Sequence, residues 1–204
     1  MRDHYLSISS ESEGFYKEKG SKFLAFAYPV GSEEAVREKL EALRKTYYDA
    51  RHHCYAYRLG NDGEKSRAND DGEPGHSAGD PILGQIKSRE LTNTLVVVIR
   101  YFGGTKLGVS GLINAYKTAA AEALELNTIV THDITHLIRF SFPYEEMNTV
   151  MKLCKDLDLK IKEQGYAEHC LLDALVVVSR AQELESRLDL MQKTGSKITY
   201  EMIG

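Results

Sequence analysis

Two short stretches hold most of the side chains that could do chemistry. The first, Asn69-Asp70-Asp71-Gly72-Glu73-Pro74-Gly75-His76, sets three carboxylates and an imidazole close together. Such a set can hold a hard divalent cation or supply an acid–base pair. Its spacing departs from the calcium-loop pattern, because the acids are adjacent and no Glu follows at the required distance. Acidic residues in turns also serve simply to cap backbone N–H groups. Both roles stay open for Asp70, Asp71 and Glu73, with His76 facing the second stretch.

That second stretch runs V-V-V-I-R-Y-F-G-G-T-K-L-G-V-S-G, residues 96–111. A glycine-rich turn entering a helix can cradle an anion on its backbone N–H groups, helped by the helix dipole. Gly103, Gly104, Gly108 and Gly111 would form the cradle, Lys106 and Arg100 would add charge, and Thr105 or Ser110 would offer a hydroxyl. Gly103-x4-Gly108 mimics a nucleotide phosphate loop, but Val109 stands where that loop needs Lys, which excludes ATP or GTP hydrolysis on this motif. The competing reading is a sharp turn with close backbone packing. A third cluster, Arg51-His52-His53-Cys54, precedes both. On a strand His52 and Cys54 share a face, and His52, Cys54 and His76 are ligands zinc accepts. No C-x-x-C or H-E-x-x-H supports that set, so no metal or cofactor is expected and Cys54 reads as a small buried hydrophobe.

The elements that must position these residues follow from periodicity. Phe15 to Val30 alternates as strand around a turn at Gly20-Ser21. Ser32 is a natural N-cap, and Val36, Leu40, Leu43 and Tyr47 form one helical stripe behind it. His53 to Leu59 reads as strand; Gly60 to Gly79 shows only turn chemistry. Asp80-Pro81 predicts the N-cap and first position of a helix burying Ile82, Leu83 and Ile86. Leu95 to Tyr101 is an apolar run expected as a central strand buried on both faces. An Ala-rich helix is expected from Ser110 or Gly111 to Leu126-Asn127. These elements predict an α+β first domain, residues 1–130, with helices against one face of its sheet. The remainder, residues 131–204, reads β (Thr135 to Phe142), α (Met147, Val150, Met151, Cys154), β (Lys160 to Tyr166), a turn near Glu168-His169, β (Leu171 to Val178), α (Ala181, Leu184, Leu188, Met191) and β (Ile198 to Met202). That order is the ferredoxin-like βαββαβ unit. A linker is expected between Asn127 and His132.

With 204 residues the chain is long enough for two small domains, and its formal net charge of −4 advertises no global nucleic-acid field. Three widely spaced Cys argue against a disulfide framework and fit a reducing, cytoplasmic setting. No run approaches the ~18 apolar residues of a membrane span, and the opening M-R-D-H-Y-L-S-I has no apolar stretch of the signal-peptide kind, so a soluble cytoplasmic protein is expected.

The blocks R-H-H-C-Y-A-Y, N-D-D-G-E-P-G-H-S-A-G-D-P-I-L and V-V-V-I-R-Y-F-G-G-T-K-L-G closely resemble the IMPACT family, in its bacterial branch. The resemblance covers residues 15–126. It implies a first domain like domain IV of elongation factor G and a second like domain V. It also implies translation-linked regulation, with RNA, the ribosome or protein partners in translation control, and no membrane. Eukaryotic members restrain a kinase of translation initiation and carry an extra amino-terminal domain. No counterpart of that domain is read in this sequence, so the kinase role does not carry over. Onto this chain the resemblance maps Arg51, His52, His53, Asp70, Asp71, Glu73, His76, Gly103, Gly104, Lys106 and Gly108, and assigns no catalytic residue. Three readings result: an RNA- or ribosome-binding protein, a protein-interaction module, and a small-molecule or peptide enzyme using His76 with a nearby carboxylate.

Overall fold

The computed structural model describes residues 2–166 and 169–203, so Glu168 of the expected turn lies outside the described residues. The chain divides into two compact units, one of Tyr5–His132 and one built from Asp133 onward with the first few residues of the chain.

The first unit is a five-stranded antiparallel sheet with helices on both faces. Its strands are β2 (Ser12–Glu18), β3 (Ser21–Pro29), β4 (His52–Leu59), β5 (Lys65–Asn69) and β6 (Thr94–Tyr101), in the order β2-β3-β6-β4-β5. A short separate pair joins β1 (His4–Ile8) to β7 (Ile129–Asp133). The helices are α1 (Glu33–Thr46), α2 (Gly79–Ser88) and α3 (Gly108–Glu125). Ser32 caps α1 as its sequence predicts, its hydroxyl accepting from the Ala35 N–H at 3.2 Å.

Central β6 explains why one layer of helices is not enough. Its residues are apolar on both sides, so each face must be covered. Val96 and Val98 pack with Phe23, Ala25, Cys54 and Ala56 beneath α2 and α3. Leu95, Val97 and Ile99 pack with Phe26, Tyr55 and Tyr57 beneath Val36, Leu40 and Leu43 of α1. The expectation of helices on a single face is corrected accordingly.

Other expectations also shift. The stretch Gly60 to Gly79 contains strand β5, and β7 runs through the expected linker. Helix α3 starts at Gly108 rather than Ser110 or Gly111. Helix α2 begins one residue before Asp80, and Asp80 does not cap it.

In the second unit β8 (Thr135–Phe142), a 3-10 turn at Tyr144–Glu146, α4 (Met147–Asp156), β9 (Lys160–Tyr166), β10 (Cys170–Val177), α5 (Val178–Lys193) and β11 (Thr199–Ile203) follow one another. The antiparallel sheet has the order β11-β8-β10-β9. Its core sets Phe140, Phe142, Leu172 and Val176 against Val150, Leu153 and Cys154 of α4 and Leu184 and Leu188 of α5. Leu153 therefore replaces Met151 in the expected α4 stripe, and Met151 faces outward. All three cysteines are free thiols. Among the described residues no helix is long and apolar enough to cross a membrane.

Candidate functional site

Strand register brings the two chemistry-bearing loops to one end of the five-stranded sheet. His52 pairs with Arg100, Lys22 with Tyr101 and Tyr55 with Asn69. The acidic loop after β5, the glycine loop after β6, the β2–β3 turn and the segment before β4 therefore leave the sheet on the same side. Helices α2 and α3 both open there, presenting N-termini.

Within the acidic loop each carboxylate is turned to internal work. Asp70 Oδ1 accepts the N–H groups of Ala78 (2.9 Å) and Gly79 (2.8 Å), and its Oδ2 accepts that of His76 (2.8 Å). Asp70 thus caps α2 from a distance, satisfying N–H groups that the helix leaves open. Partial burial pushes its pKa up, but the N–H groups of Gly79, His76 and Ala78 outweigh this and hold the carboxyl below its ordinary range. Asp71 Oδ2 accepts the His53 N–H at 2.7 Å, while its carbonyl meets His52 Nδ1 at 2.9 Å. These bonds tie the loop to β4, with Arg44 standing 3.7 Å from Asp71 Oδ1.

Glu73 is buried deepest. Its Oε1 accepts from Arg100 Nη1 and from the Tyr116 hydroxyl, both at 2.7 Å. The Glu73 and Arg100 side chains are only 4% and 7% exposed, so this is a dry ion pair. Arg100 is consequently unavailable to the glycine loop, correcting the expectation that it lends charge there. Tyr116 also lies 3.4 Å from Cys54 Sγ, and the Cys54 thiol donates to the Asp70 carbonyl at 3.0 Å. Burial pushes that thiol's pKa up and favours its protonated form. Among the described residues no three His, Cys, Asp or Glu gather as a metal site.

His53 is buried between the sheet and α1, and desolvation lowers its pKa and keeps it neutral. His76 behaves oppositely. It is 87% exposed, and its backbone is left-handed at φ 63. Its Nδ1 lies 2.6 Å from Asp80 Oδ2, and the hydrogen bond to Asp80 raises its pKa. The carboxylate beside His76 is therefore Asp80, not one of the acidic-loop residues. Sequence reasoning passed over it by assigning Asp80 to the helix cap; the four-residue spacing was the available signal. Tyr116 carried no such signal, lying far along an Ala-rich helix.

In the glycine loop the roles divide. A Cβ on Gly103 would fall 1.9 Å from the Gly20 carbonyl carbon, so Gly103 exists to let the loop touch the β2–β3 turn. Gly104 and Gly108 are left-handed, at φ 86 and φ 72, with open space around them. No side chain caps the first turn of α3, which leaves its N–H groups toward solvent. Thr105, Lys106 and Arg51 are exposed, and neither cation makes an ion pair among the described residues.

Residues 19–124 match the model of the Impact N-terminal domain. The chain is 31% identical to the IMPACT family member YvyE of Bacillus subtilis over 86% of its own length and 81% of that protein. It is 30% identical to the IMPACT family member YigZ of Escherichia coli, over 83% of this chain and 84% of that one. A solved structure titled as that of a hypothetical protein superposes with a TM-score of 0.70 at 26% identity, covering 100% of this chain and 99% of its own. With a domain match over more than half its length and full-length relatives at this identity, the chain belongs to the IMPACT family.

Proposed function

We propose that this chain is a translation-linked binding protein that takes RNA, alone or within the ribosome, at the loop end of its first unit. The observation that carries the reading is an asymmetry of use. Asp70 and Glu73 are spent on helix capping and a buried ion pair, and Asp71 on the β4 backbone. Exposed Lys106 and Arg51, with the open N–H groups of α3, remain for a phosphate oxygen. In this reading Arg51, His52, Gly104, Thr105, Lys106, Gly108 and His76 form the contact surface. His53, Asp70, Asp71, Glu73, Arg100 and Gly103 hold it in place. The order βαββαβ, with outer strands β11 and β9, supports reading the second unit as a ferredoxin-like module akin to domain V of elongation factor G. The first unit is then the counterpart of domain IV.

Phosphate contacts release counterions, so affinity should fall steeply with salt. Fluorescence anisotropy with a labelled RNA oligonucleotide tests this. Lys106→Ala should weaken binding and reduce the salt slope by about one ion. A flat salt dependence, or unchanged binding by Lys106→Ala, overturns the reading.

One observation favours a second reading. The His76–Asp80 pair resembles an oriented acid–base dyad, its Nε2 without a hydrogen bond among the described residues. A small-molecule or peptide enzyme built on it would lose turnover in His76→Ala, and a metabolite screen with that variant as control decides the matter.

A further inference from the structure

A second surface of the first unit adjoins the glycine loop. On the sheet face that carries α1, beyond the helix, the ends of β2, β3 and β6 are left uncovered. The groove there measures about 480 Å³ and is lined by Phe15, Lys17, Lys22, Leu24, Tyr101 and Phe102. Phe15 is 47% and Phe102 56% exposed, an uncommon position for two phenylalanines so close to one another.

The charges here are arranged at a cost. Lys17 and Lys22 face each other directly across β2 and β3, and Lys22 faces Tyr101 across β3 and β6. Like charges opposite one another on one sheet face are destabilising. Neither lysine has an ion-pair partner among the described residues; Lys17 Nζ lies instead 5.6 Å from the Phe15 ring centroid. The neighbouring carboxylates do not relieve the pair. Asp49 accepts the Tyr101 hydroxyl at 2.7 Å, and Glu18 accepts that of Tyr16. Glu13 shares the face but sits opposite Phe26, further along β2.

Two paired lysines without a counterion stand beside two half-exposed rings, each with a cation 5.6 Å from its centroid (Lys17 by Phe15, Arg100 by Phe102), and that set matches what an unpaired nucleotide needs. Rings stack on bases and ammonium groups meet the phosphates between them. A duplex hides its base faces and could use only the lysines. We infer that this groove is a stacking platform for single-stranded nucleic acid, with Phe15 and Phe102 each taking a base and Lys17 and Lys22 the linking phosphates. The inference rests on the proposed RNA-binding reading and specifies the form of RNA. Continuity supports it, since Gly103 packs on Gly20 and so joins the groove to the glycine loop.

The test uses the full chain, a labelled single-stranded RNA twelve-mer and a duplex of equal length. Wild type should prefer the single strand. Phe15→Ala and Phe102→Ala should each weaken single-strand binding about tenfold, the worth of one base–aromatic stack, and leave duplex binding unchanged. Lys17→Gln should weaken both and lower the salt slope. Equal affinity for the two forms, with no effect of the Phe variants but a loss in Lys106→Ala, sinks the platform and spares the proposed function. Binding of neither RNA overturns both. Circular dichroism of each Phe variant guards against unfolding, and a double Phe15→Leu/Phe102→Leu variant keeps the apolar surface while removing the rings.

Discussion

Burying Glu73 against Arg100 takes two charges out of water, and the 2.7 Å contacts to Arg100 and Tyr116 are what make that tolerable. The pair fastens the acidic loop to β6 and α3 at a single point. Removing one partner leaves the other charge stranded in a dry site. Glu73→Gln should therefore cost about 3–5 kcal/mol in urea denaturation, more than any substitution of exposed Lys106. A double variant, Glu73→Leu with Arg100→Met, should recover most of that loss, because apolar groups of similar size need no counter-charge. A single-variant cost below about 1 kcal/mol would place the ion pair among ordinary surface pairs and contradict the burial argument. None of this was readable from Asn69 to His76 alone. The sequence places three acids together, but the role of Glu73 depends on partners 27 and 43 residues away, beyond any local spacing rule.

Elements differ in how openly their sequences declare them. Helix α1 announces itself through Ser32 and the stripe Val36, Leu40, Leu43, because cap and burial agree locally. Strand β6 does so through an unbroken apolar run. Strand β5 does not: Lys65-Ser66-Arg67-Ala68-Asn69 has no apolar alternation, and it exists because β4 offers it an edge to pair with. Helix α2 misled for a related reason. Asp80-Pro81 has the composition of a helix start, yet Asp70, reaching from the preceding loop, takes the Ala78 and Gly79 N–H groups. Asp70→Ala should then cost about 1–2 kcal/mol, the worth of a strong cap. Amide exchange at Ala78 and Gly79 should quicken in that variant and stay as it is in Asp80→Ala. Faster exchange in Asp80→Ala alone would return the cap to the residue that composition favours.

At the scale of the whole chain, two histidines of the first unit pull stability in opposite directions with pH. His53 has a folded pKa below its ordinary 6.5 because burial disfavours the charged ring. Unfolded chain then binds a proton that folded chain refuses, so its contribution is full above the unfolded pKa and is lost as pH falls through the folded one. His76 has a raised folded pKa, from the Asp80 hydrogen bond. Its contribution is full below the unfolded pKa and is lost as pH rises through the folded one. His76 is exposed, where solvent screens the gain, while His53 is buried, so His53 sets the net sign. The first unit should be more stable at pH 7.5 than at pH 5.5. Asp70 does not interfere, since its depressed pKa moves its loss to more acid conditions. Because the chain has two units, denaturation is to be followed for separate transitions rather than forced onto one. The transition that His53→Gln shifts is that of the first unit, and in that variant its rise in midpoint from pH 5.5 to 7.5 should flatten. His76→Ala should steepen the same rise by removing the opposing term. A rise that survives His53→Gln intact would mean that other groups of the first unit, and not the buried ring, set its pH dependence.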